Sequence, residues 1–265
     1  MKVDTGLTTQ QIEDFIELGY VRVDHAFPRA VADECRHILW KATQLDPEKP
    51  ETWTQPVIRI GEIGLEPFRK AANTDSLHQA FDQLVHDNWL PRMSLGTFPI
   101  RFPSPEPASD TGWHVDASFA GENPGNYLEW RINRNSKGRA LLMLFLFSDV
   151  TQRDAPTLIR EGSHRDVAKL LEPEGKKGLS FMELAQKLDA LPSRREVLAT
   201  GEAGTVYLCH PLLAHAAQDH RGTLPKFMAQ PPLLTKTDFR LDQEYALLCP
   251  VERAIVDGFK YGTFF

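Results

Sequence analysis

Cysteine is scarce in this sequence, and long apolar runs are missing. Only three of the 265 residues are cysteine, and no two of them form a CxxC pair. So small and odd a set argues against a disulfide framework and favours a reducing compartment. The longest apolar run covers residues 140–147, far fewer than the ~20 residues that span a bilayer. The first residues also lack the apolar segment of a secretory signal, so we expect a cytoplasmic protein without a membrane partner.

Basic charge is not in excess either. The chain has 30 lysines and arginines against 36 acidic residues, a formal net charge of −6. Nucleic-acid-binding proteins normally carry a basic surplus, so we expect no nucleic-acid partner. The 42% hydrophobic and 25% charged content is ordinary for a folded protein and excludes wholesale disorder. With no repeat and no convincing linker, we expect one domain over residues 1–265.

The first part of the chain, residues 1–90, has the apolar spacing of helices. Thr8 and Gln11 form a capping-box pattern at the start of one helix, and Gly19 is a natural end for it. Pro28 is typical of the first turn of a second helix. These signals predict a mostly helical layer at the N-terminus.

The second part, residues 91–265, reads mainly as short strands, with a helical insert near residues 163–191. Residues 140–147 (ALLMLFLF) are uniformly apolar, and their length favours a strand that is covered on both faces. Many short strands preceded by helices predict a mainly β protein. We expect an antiparallel sandwich or barrel with helices, mostly N-terminal, packed outside it.

The sharpest local pattern is an HxD motif made by His114 and Asp116. Residues two apart on a strand point to the same face, so an imidazole and a carboxylate would lie side by side. Inside a barrel, such a pair favours a bound cation. The pattern alone is common, and an exposed strand with two polar residues also explains it.

A second histidine segment follows at residues 210–215. His210 and His215 differ by an odd number of positions, so in a regular strand they face opposite sides and at most one can reach a metal. One of them, together with His114 and Asp116, would form the two-histidine, one-carboxylate triad that holds Fe(II) and leaves coordination positions open. Zinc is the alternative metal, although the sequence contains no HExxH motif.

Lys226 is the candidate for binding an organic anion. It lies 11 residues after His215, at the start of a predicted strand over residues 227–234. A buried lysine in the same barrel could pair with the distal carboxylate of a dicarboxylic cosubstrate. Without the metal triad, an exposed lysine at a strand start is the simpler interpretation.

Four segments in order along the chain resemble the phytanoyl-CoA dioxygenase (PhyH) family of Fe(II)/2-oxoglutarate oxygenases. This resemblance implies a double-stranded β-helix of the jelly-roll or cupin type. It also implies an enzyme that uses Fe(II), 2-oxoglutarate and O2, most simply as a hydroxylase of a small molecule. The segments are residues 15–23 (FIELGYVRV), 111–119 (TGWHVDASF), 154–165 (DAPTLIREGSHR) and 204–215 (GTVYLCHPLLAH).

The resemblance also implies roles for particular residues. His114, Asp116 and His215 match the metal ligands of the family. Lys226 stands where family members usually have an arginine that binds the far carboxylate of 2-oxoglutarate, and Arg59 resembles a position near the cosubstrate. We therefore expect catalysis at the three ligands and cosubstrate binding at the two cations.

Two departures from the family pattern leave other functions open. Lys226 keeps the positive charge but lacks the bidentate fork of arginine, and Ala217 stands where the family often has serine. Arg221 is a substitute cation, although its turn more simply places it at the surface. The alternatives are a cupin-like hydrolase or isomerase with zinc or nickel, and a non-catalytic binding protein that does not consume 2-oxoglutarate.

Two loops flank the HxD motif, at residues 103–110 and 121–138. They are rich in Pro, Gly, Asn and Ser, and neither has a periodic apolar pattern. Loops on a rigid scaffold often determine specificity, so we expect them to gate the pocket. Four basic residues in and beside the second loop suggest an anionic small-molecule substrate, and the sequence leaves the oligomeric state open. These residues are Arg131, Arg134, Lys137 and Arg139.

Overall fold

The computed structural model describes residues 6–261 as antiparallel sheets with helices packed on them. The helices are α1 (Thr9–Leu18), α2 (Arg29–Thr43), α3 (Glu66–Ala72), α4 (Asp75–Val85), α5 (Ser163–Leu171), α6 (Phe181–Lys187) and α7 (Pro250–Tyr261). The strands are β1 (Tyr20–Val23), β2 (Val57–Ile60), β3 (Phe98–Arg101), β4 (Gly112–His114), β5 (Arg131–Ile132), β6 (Arg139–Leu146), β7 (Thr157–Arg160), β8 (Leu179–Ser180), β9 (Glu196–Ala199), β10 (Val206–Cys209), β11 (His215–Ala217), β12 (Met228–Ala229) and β13 (Pro232–Leu234).

Two larger sheets form the β part of the molecule. The first has the strand order β1-β10-β6-β12, and β13 also pairs with β6. The second has the order β4-β11-β7-β9, so β4 lies at its edge. Two further pairs, β2 with β3 and β5 with β8, are separate two-stranded ribbons. The pairings within these sheets are antiparallel, which agrees with the expected fold class.

Strand β6 is buried along its whole length, and its two faces contact different parts of the core. Leu142 and Leu144 belong to an apolar cluster that also contains Ile159 of β7 in the second sheet. Met143 and Phe145, between them in sequence, pack in the larger cluster that includes the helices. Alternation of this kind places one set between the sheets and the other under the helical layer. The prediction of a strand covered on both faces is confirmed.

Helix α1 begins and ends as its sequence predicts. The capping box of Thr8 and Gln11 is present, and Gly19 ends the helix in the left-handed conformation with φ of 88°. A Cβ atom at this glycine would lie 2.4 Å from Nδ1 of His164. Glycine is therefore required both by the backbone and by the close approach of α5.

Helices α1 to α4 precede residue 90 and α5 and α6 form the expected insert near residues 163–191, so α7 is the described helix that the sequence did not predict. Helices α5, α6 and α7 follow residue 160, and α7 packs extensively on α5. A Cβ atom at Gly258 of α7 would lie 2.6 Å from the backbone oxygen of Arg165, so glycine permits this close contact. The predicted strand over residues 227–234 is also split into β12 and β13, since Pro231 and Pro232 have no N–H to donate to a ladder.

The expected lack of a membrane span and the expected single domain both concern the whole chain, and the structure covers only part of it. Within residues 6–261, no helix is long and apolar enough to cross a membrane. The proposed single domain also includes residues 1–5 and 262–265, which lie outside the described residues.

Candidate metal centre and adjoining cavity

Two strands of the second sheet bring His114 and His215 together. Strand β4 pairs antiparallel with β11, and His114 lies directly opposite His215 in the register. Directly opposed residues of neighbouring strands project to the same face. The centroids of the two imidazole rings are 4.4 Å apart. His215 is at least 99 positions from the HxD motif in sequence, and one short strand pair brings it beside His114.

Asp116 completes the group, although it does not lie on a strand. Strand β4 ends at His114, so the expectation that both residues of the HxD motif lie on a strand is wrong. The chain leaves the sheet because Arg139 binds the backbone oxygens of Asp116 and Ala117, at 3.3 and 2.8 Å. Even so, Oδ1 of Asp116 lies 3.9 Å from Nε2 of each histidine, and the three ligand atoms lie within 4.8 Å of one another.

The hydrogen bonds of the two histidines leave the same ring nitrogen free. Nδ1 of His114 donates to the oxygen of Gly112 at 3.0 Å, and Nδ1 of His215 donates to the oxygen of Leu213 at 3.0 Å. Because a carbonyl oxygen only accepts, Nε2 of each neutral ring carries a lone pair. Nε2 of His215 is buried and has no hydrogen-bond partner. An unpartnered nitrogen beside a carboxylate fits a bound divalent cation.

The charges of the triad also suit a cation. Burial by itself would raise the pKa of Asp116, but Arg139 and the two histidines outweigh burial and lower it. Burial and then His114 lower the pKa of His215 to about 4. Near neutral pH the carboxyl group is therefore ionised and this imidazole is uncharged, and these are the forms that bind metal.

Arg139 is a further residue of this site, and the sequence did not reveal its contact with Asp116. Its Nη1 lies 3.3 Å from Oδ2 of Asp116, and the side chain is almost fully buried at the start of β6. By holding Oδ2, this guanidinium directs Oδ1 towards the two histidines. A single arginine at the head of a uniformly apolar strand was the available signal, because a buried arginine needs an acceptor.

The other three basic residues of the expected patch point elsewhere. Arg131 donates to the oxygens of Lys177 and Gly178 at 2.8 and 2.6 Å. Arg134 stacks on Phe259, and Lys137 lies 5.3 Å from the ring centroid of Phe119. None of the three lines the cavity at the triad. The expected basic patch over the pocket is therefore wrong, and with it the reason for an anionic substrate.

His210 lies outside the triad, but for a different reason than strand parity. Strand β10 ends at residue 209, and the chain then turns, with N–H of Leu213 donating to the oxygen of His210. His210 is buried, and its ring centroid lies 4.7 Å from that of His164. Its Nε2 donates to the oxygen of Val251 and its Nδ1 accepts from N–H of Leu212, so neither nitrogen is free.

A cavity of about 850 Å³ adjoins the triad and also reaches the proposed cosubstrate cations. Lys226 is buried in its wall and donates to the oxygen of Ala155. Burial, reinforced by Arg101, lowers the pKa of this lysine well below its ordinary value. Arg59 lies on β2, is half exposed, and pairs with Asp110. Both predicted cations therefore line the same cavity as the triad.

Arg101 is a third cation in this cavity, and it was not among the expected cosubstrate residues. It is only 3% exposed, and it donates to Oδ2 of Asp110 at 2.8 Å, the oxygen that also meets Arg59. Arg101 and Lys226 are bridged through their backbones, which fixes the two cations side by side. The signal was a charged residue within the apolar segment FPIRF. By contrast Arg221 is exposed and does not line the cavity.

Comparison with known protein families identifies one family whose profile matches this chain. The profile of the phytanoyl-CoA dioxygenase (PhyH) family matches residues 15–228. The chain belongs to this family. The matched segment contains all three residues of the triad and Lys226, so the PhyH resemblance of the four sequence segments is confirmed. A comparison with curated proteins gave no match.

Solved structures show the same fold at low sequence identity. HygX from Streptomyces hygroscopicus, with nickel and 2-oxoglutarate bound, has a TM-score of 0.57 at 16% identity, covering 88% of this chain and 90% of that chain. The epimerase SnoN, with Fe3+, alpha ketoglutarate and nogalamycin RO, has a TM-score of 0.56 at 14% identity, covering 85% and 82%. The carbocyclase SnoK from nogalamycin biosynthesis has 0.53 at 13%, covering 86% and 84%. These similarities show that this PhyH-family chain has the same fold as HygX, SnoN and SnoK.

Proposed function

We propose that this protein is an Fe(II)- and 2-oxoglutarate-dependent oxygenase that hydroxylates a small molecule. The observation that carries the proposal is the convergence of His114, Asp116 and His215, with ligand atoms within 4.8 Å of one another. Membership of the PhyH family and the metal and 2-oxoglutarate in the HygX structure support it. When bound, Fe(II) would supply the electrons that activate O2, coupled to oxidative decarboxylation of 2-oxoglutarate to succinate and CO2.

The residues of the triad would hold the metal through Nε2 of each histidine and Oδ1 of Asp116. Their Nδ1–H groups are fixed on backbone oxygens, so the rings keep one tautomer and one orientation. Arg139 holds the second carboxylate oxygen. Three protein ligands leave coordination positions for cosubstrate and O2, whereas a closed structural site would not.

The cosubstrate would place its far carboxylate against Lys226 and Arg101. Both cations are nearly fully buried, and the carboxylate of Asp110 is shared between Arg101 and Arg59. Asp110 and Asp154 are the carboxylates that act on Lys226, and Asp110 already binds two arginines, so a further anion would add a compensating charge to the buried cations. We infer that Arg101 supplies the guanidinium that Lys226 lacks, and that Arg59, being half exposed, contributes less.

We further infer that the two larger sheets together form a double-stranded β-helix. The support is the apolar layer that they share, in which Leu144 of β6 and Ile159 of β7 belong to one cluster. The fold shared with HygX and SnoN agrees with it.

The first experiment is anaerobic loading with Fe(II) and 2-oxoglutarate, followed by the charge-transfer absorbance of the chelated cosubstrate. We expect saturable absorbance for the wild type and succinate formation when O2 is admitted with substrate. Lys226→Ala should weaken 2-oxoglutarate binding by about 10²–10⁴-fold, because breaking a buried ion pair costs ~3–5 kcal/mol. Arg221→Ala, which removes an exposed cation outside the cavity, is the matched control and should bind normally.

The outcomes separate this function from its alternatives. A protein that binds zinc and forms no succinate would be a hydrolase or a binding protein, and the proposal would be wrong. Because two relatives in the same fold are a carbocyclase and an epimerase, the product is also analysed for one oxygen atom derived from O2. Succinate formation without that oxygen atom in the product would still support the oxygenase-type reaction with 2-oxoglutarate, but it would contradict hydroxylation.

A further inference from the structure

A group of exposed apolar side chains lies beside the metal triad. Tyr127, Leu128 and Met182 are 43%, 50% and 43% exposed, and all three line the cavity. Other strongly exposed apolar residues, such as Met93 and Leu224, lie outside it. Apolar surface in water is unfavourable by roughly 25 cal/mol per Å², and a cluster of it in a cavity is typical of a ligand site.

This apolar wall begins at the triad itself. Phe181, the first residue of α6, has its ring centroid 5.6 Å from that of His114 and 5.5 Å from that of Tyr127. Oη of Tyr127 lies 3.5 Å from Oδ1 of Asp116. Helix α6 also contacts both β4 and the 3-10 helix Tyr127–Glu129. A molecule lying on this wall would therefore place its atoms next to the metal.

The wall offers no free charge to a polar ligand. Glu183 of α6 is used in the capping box of its own helix, with Ser180. The guanidinium of Arg139 is held by Asp116 and the oxygen of Ala117. The buried cations Lys226 and Arg101 come from other elements and belong to the proposed cosubstrate site.

We propose that the substrate is an uncharged molecule that lays an aromatic or aliphatic ring system on Tyr127, Leu128, Phe181 and Met182. This inference rests on the proposed function and names the substrate class for the same site. The cavity of about 850 Å³ has room for such a molecule beside 2-oxoglutarate. Four side chains around a recess are too small an area for a protein partner, which needs about 800 Å² on each side.

The test compares two dyes that differ mainly in charge. N-phenyl-1-naphthylamine is neutral, and 8-anilino-1-naphthalenesulfonate has the same ring system with a sulfonate. Both are titrated by fluorescence into protein loaded with Ni(II) and 2-oxoglutarate, so that the cavity cations are occupied and no turnover occurs. We expect the neutral dye to bind at least about tenfold more tightly than the anionic dye.

Substitutions locate the bound dye. Leu128→Glu and Met182→Glu lie on different elements and replace exposed side chains, and each should weaken binding of the neutral dye by about tenfold or more. Met93→Glu and Leu224→Glu, which replace more exposed apolar side chains outside the cavity, are the controls and should not change it. Circular dichroism confirms folding of each variant.

The failures of the two proposals are distinguishable. If the wild-type protein with Fe(II) and 2-oxoglutarate shows no charge-transfer absorbance, the proposed function is contradicted. Normal absorbance together with equal binding of both dyes, or with neutral-dye binding that Leu128→Glu and Met182→Glu leave unchanged, would overturn the substrate class alone.

Discussion

Two pairs of neighbouring histidine rings lie in this protein, and they differ in which ring nitrogen binds a backbone oxygen. His114 and His215 have centroids 4.4 Å apart and bind backbone oxygens through Nδ1, which leaves Nε2 facing Asp116. His164 and His210 have centroids 4.7 Å apart and bind backbone oxygens through Nε2. No carboxylate is recorded beside this second pair among the described residues.

The difference shows what separates a ligand histidine from a core histidine. Both pairs are close, and each contains a deeply buried ring, so neither proximity nor burial distinguishes them. The outward nitrogen and the neighbouring carboxylate do, because a cation needs a lone pair and a compensating charge. On this comparison, the first pair can bind a metal and the second can only stabilise the fold.

The largest expected effect comes from exchanging one histidine of each pair for alanine. His215→Ala should abolish Fe(II) binding by micromolar protein, because one of three ligands is lost. His210→Ala should keep Fe(II) binding but lower the free energy of unfolding by about 2–4 kcal/mol, through a cavity and a lost hydrogen bond. Metal titration and urea unfolding measure the two effects. The reverse pattern would show that the two pairs have been assigned to the wrong roles.

The second expected effect tests the group that makes the first pair different, the carboxylate held by Arg139. Arg139→Met should weaken metal binding by about 10–100-fold, as loss of an orienting partner typically does. Arg139→Lys should recover part of it by retaining a charge near Oδ2 of Asp116. Arg131→Met removes a neighbouring arginine that binds other backbone oxygens, so unchanged binding is expected there. Equal losses in both methionine variants would argue against a positioning role.

The smallest expected effect is the acid response of the second pair. Burial lowers the pKa of His210 to about 3 in the folded chain, against about 6.5 when unfolded. As the pH falls below about 6.5, the unfolded chain therefore binds a proton that the folded chain does not, and stability falls until about pH 3. When the pH is lowered from about 7.5 to 5.5, this histidine should lower the free energy of unfolding by roughly 1.4 kcal/mol.

The control for this acid response is His210→Gln, measured without metal. Urea unfolding at the two pH values should show a smaller loss for the variant than for the wild type. An identical loss in both proteins would mean that His210 does not carry the effect.

Local signals in the sequence were sufficient for many elements. The capping box of Thr8 and Gln11 depends on residues three apart, and the structure forms it. The helical insert expected near residues 163–191 contains α5 (Ser163–Leu171) and α6 (Phe181–Lys187). The uniformly apolar β6 is covered on both faces because its pattern leaves no polar side for solvent.

Features that depend on distant partners could not be predicted. Asp116 leaves the sheet because Arg139, 23 residues away, takes its backbone oxygen. Arg101 becomes a cavity cation only through Asp110 and the backbone of Lys226. The expected basic patch failed for the same reason, since Arg131, Arg134 and Lys137 found partners in segments that no periodicity relates to them. The triad itself could be predicted from the sequence, because its residue types are typical of metal ligands and few residues of those types were candidates.

The position of β4 has a further consequence. This strand has three residues, lies at the edge of its sheet, and pairs there only with β11. An edge strand this short offers little template to other chains, but its few ladder hydrogen bonds leave it prone to fraying. Coordination by His114 and His215 would cross-link β4 to β11 at the pairing where β4 ends, so the metal would hold the two strands together there. Metal affinity and resistance of β4 to fraying would then be one property of this protein, because the same bonds provide both.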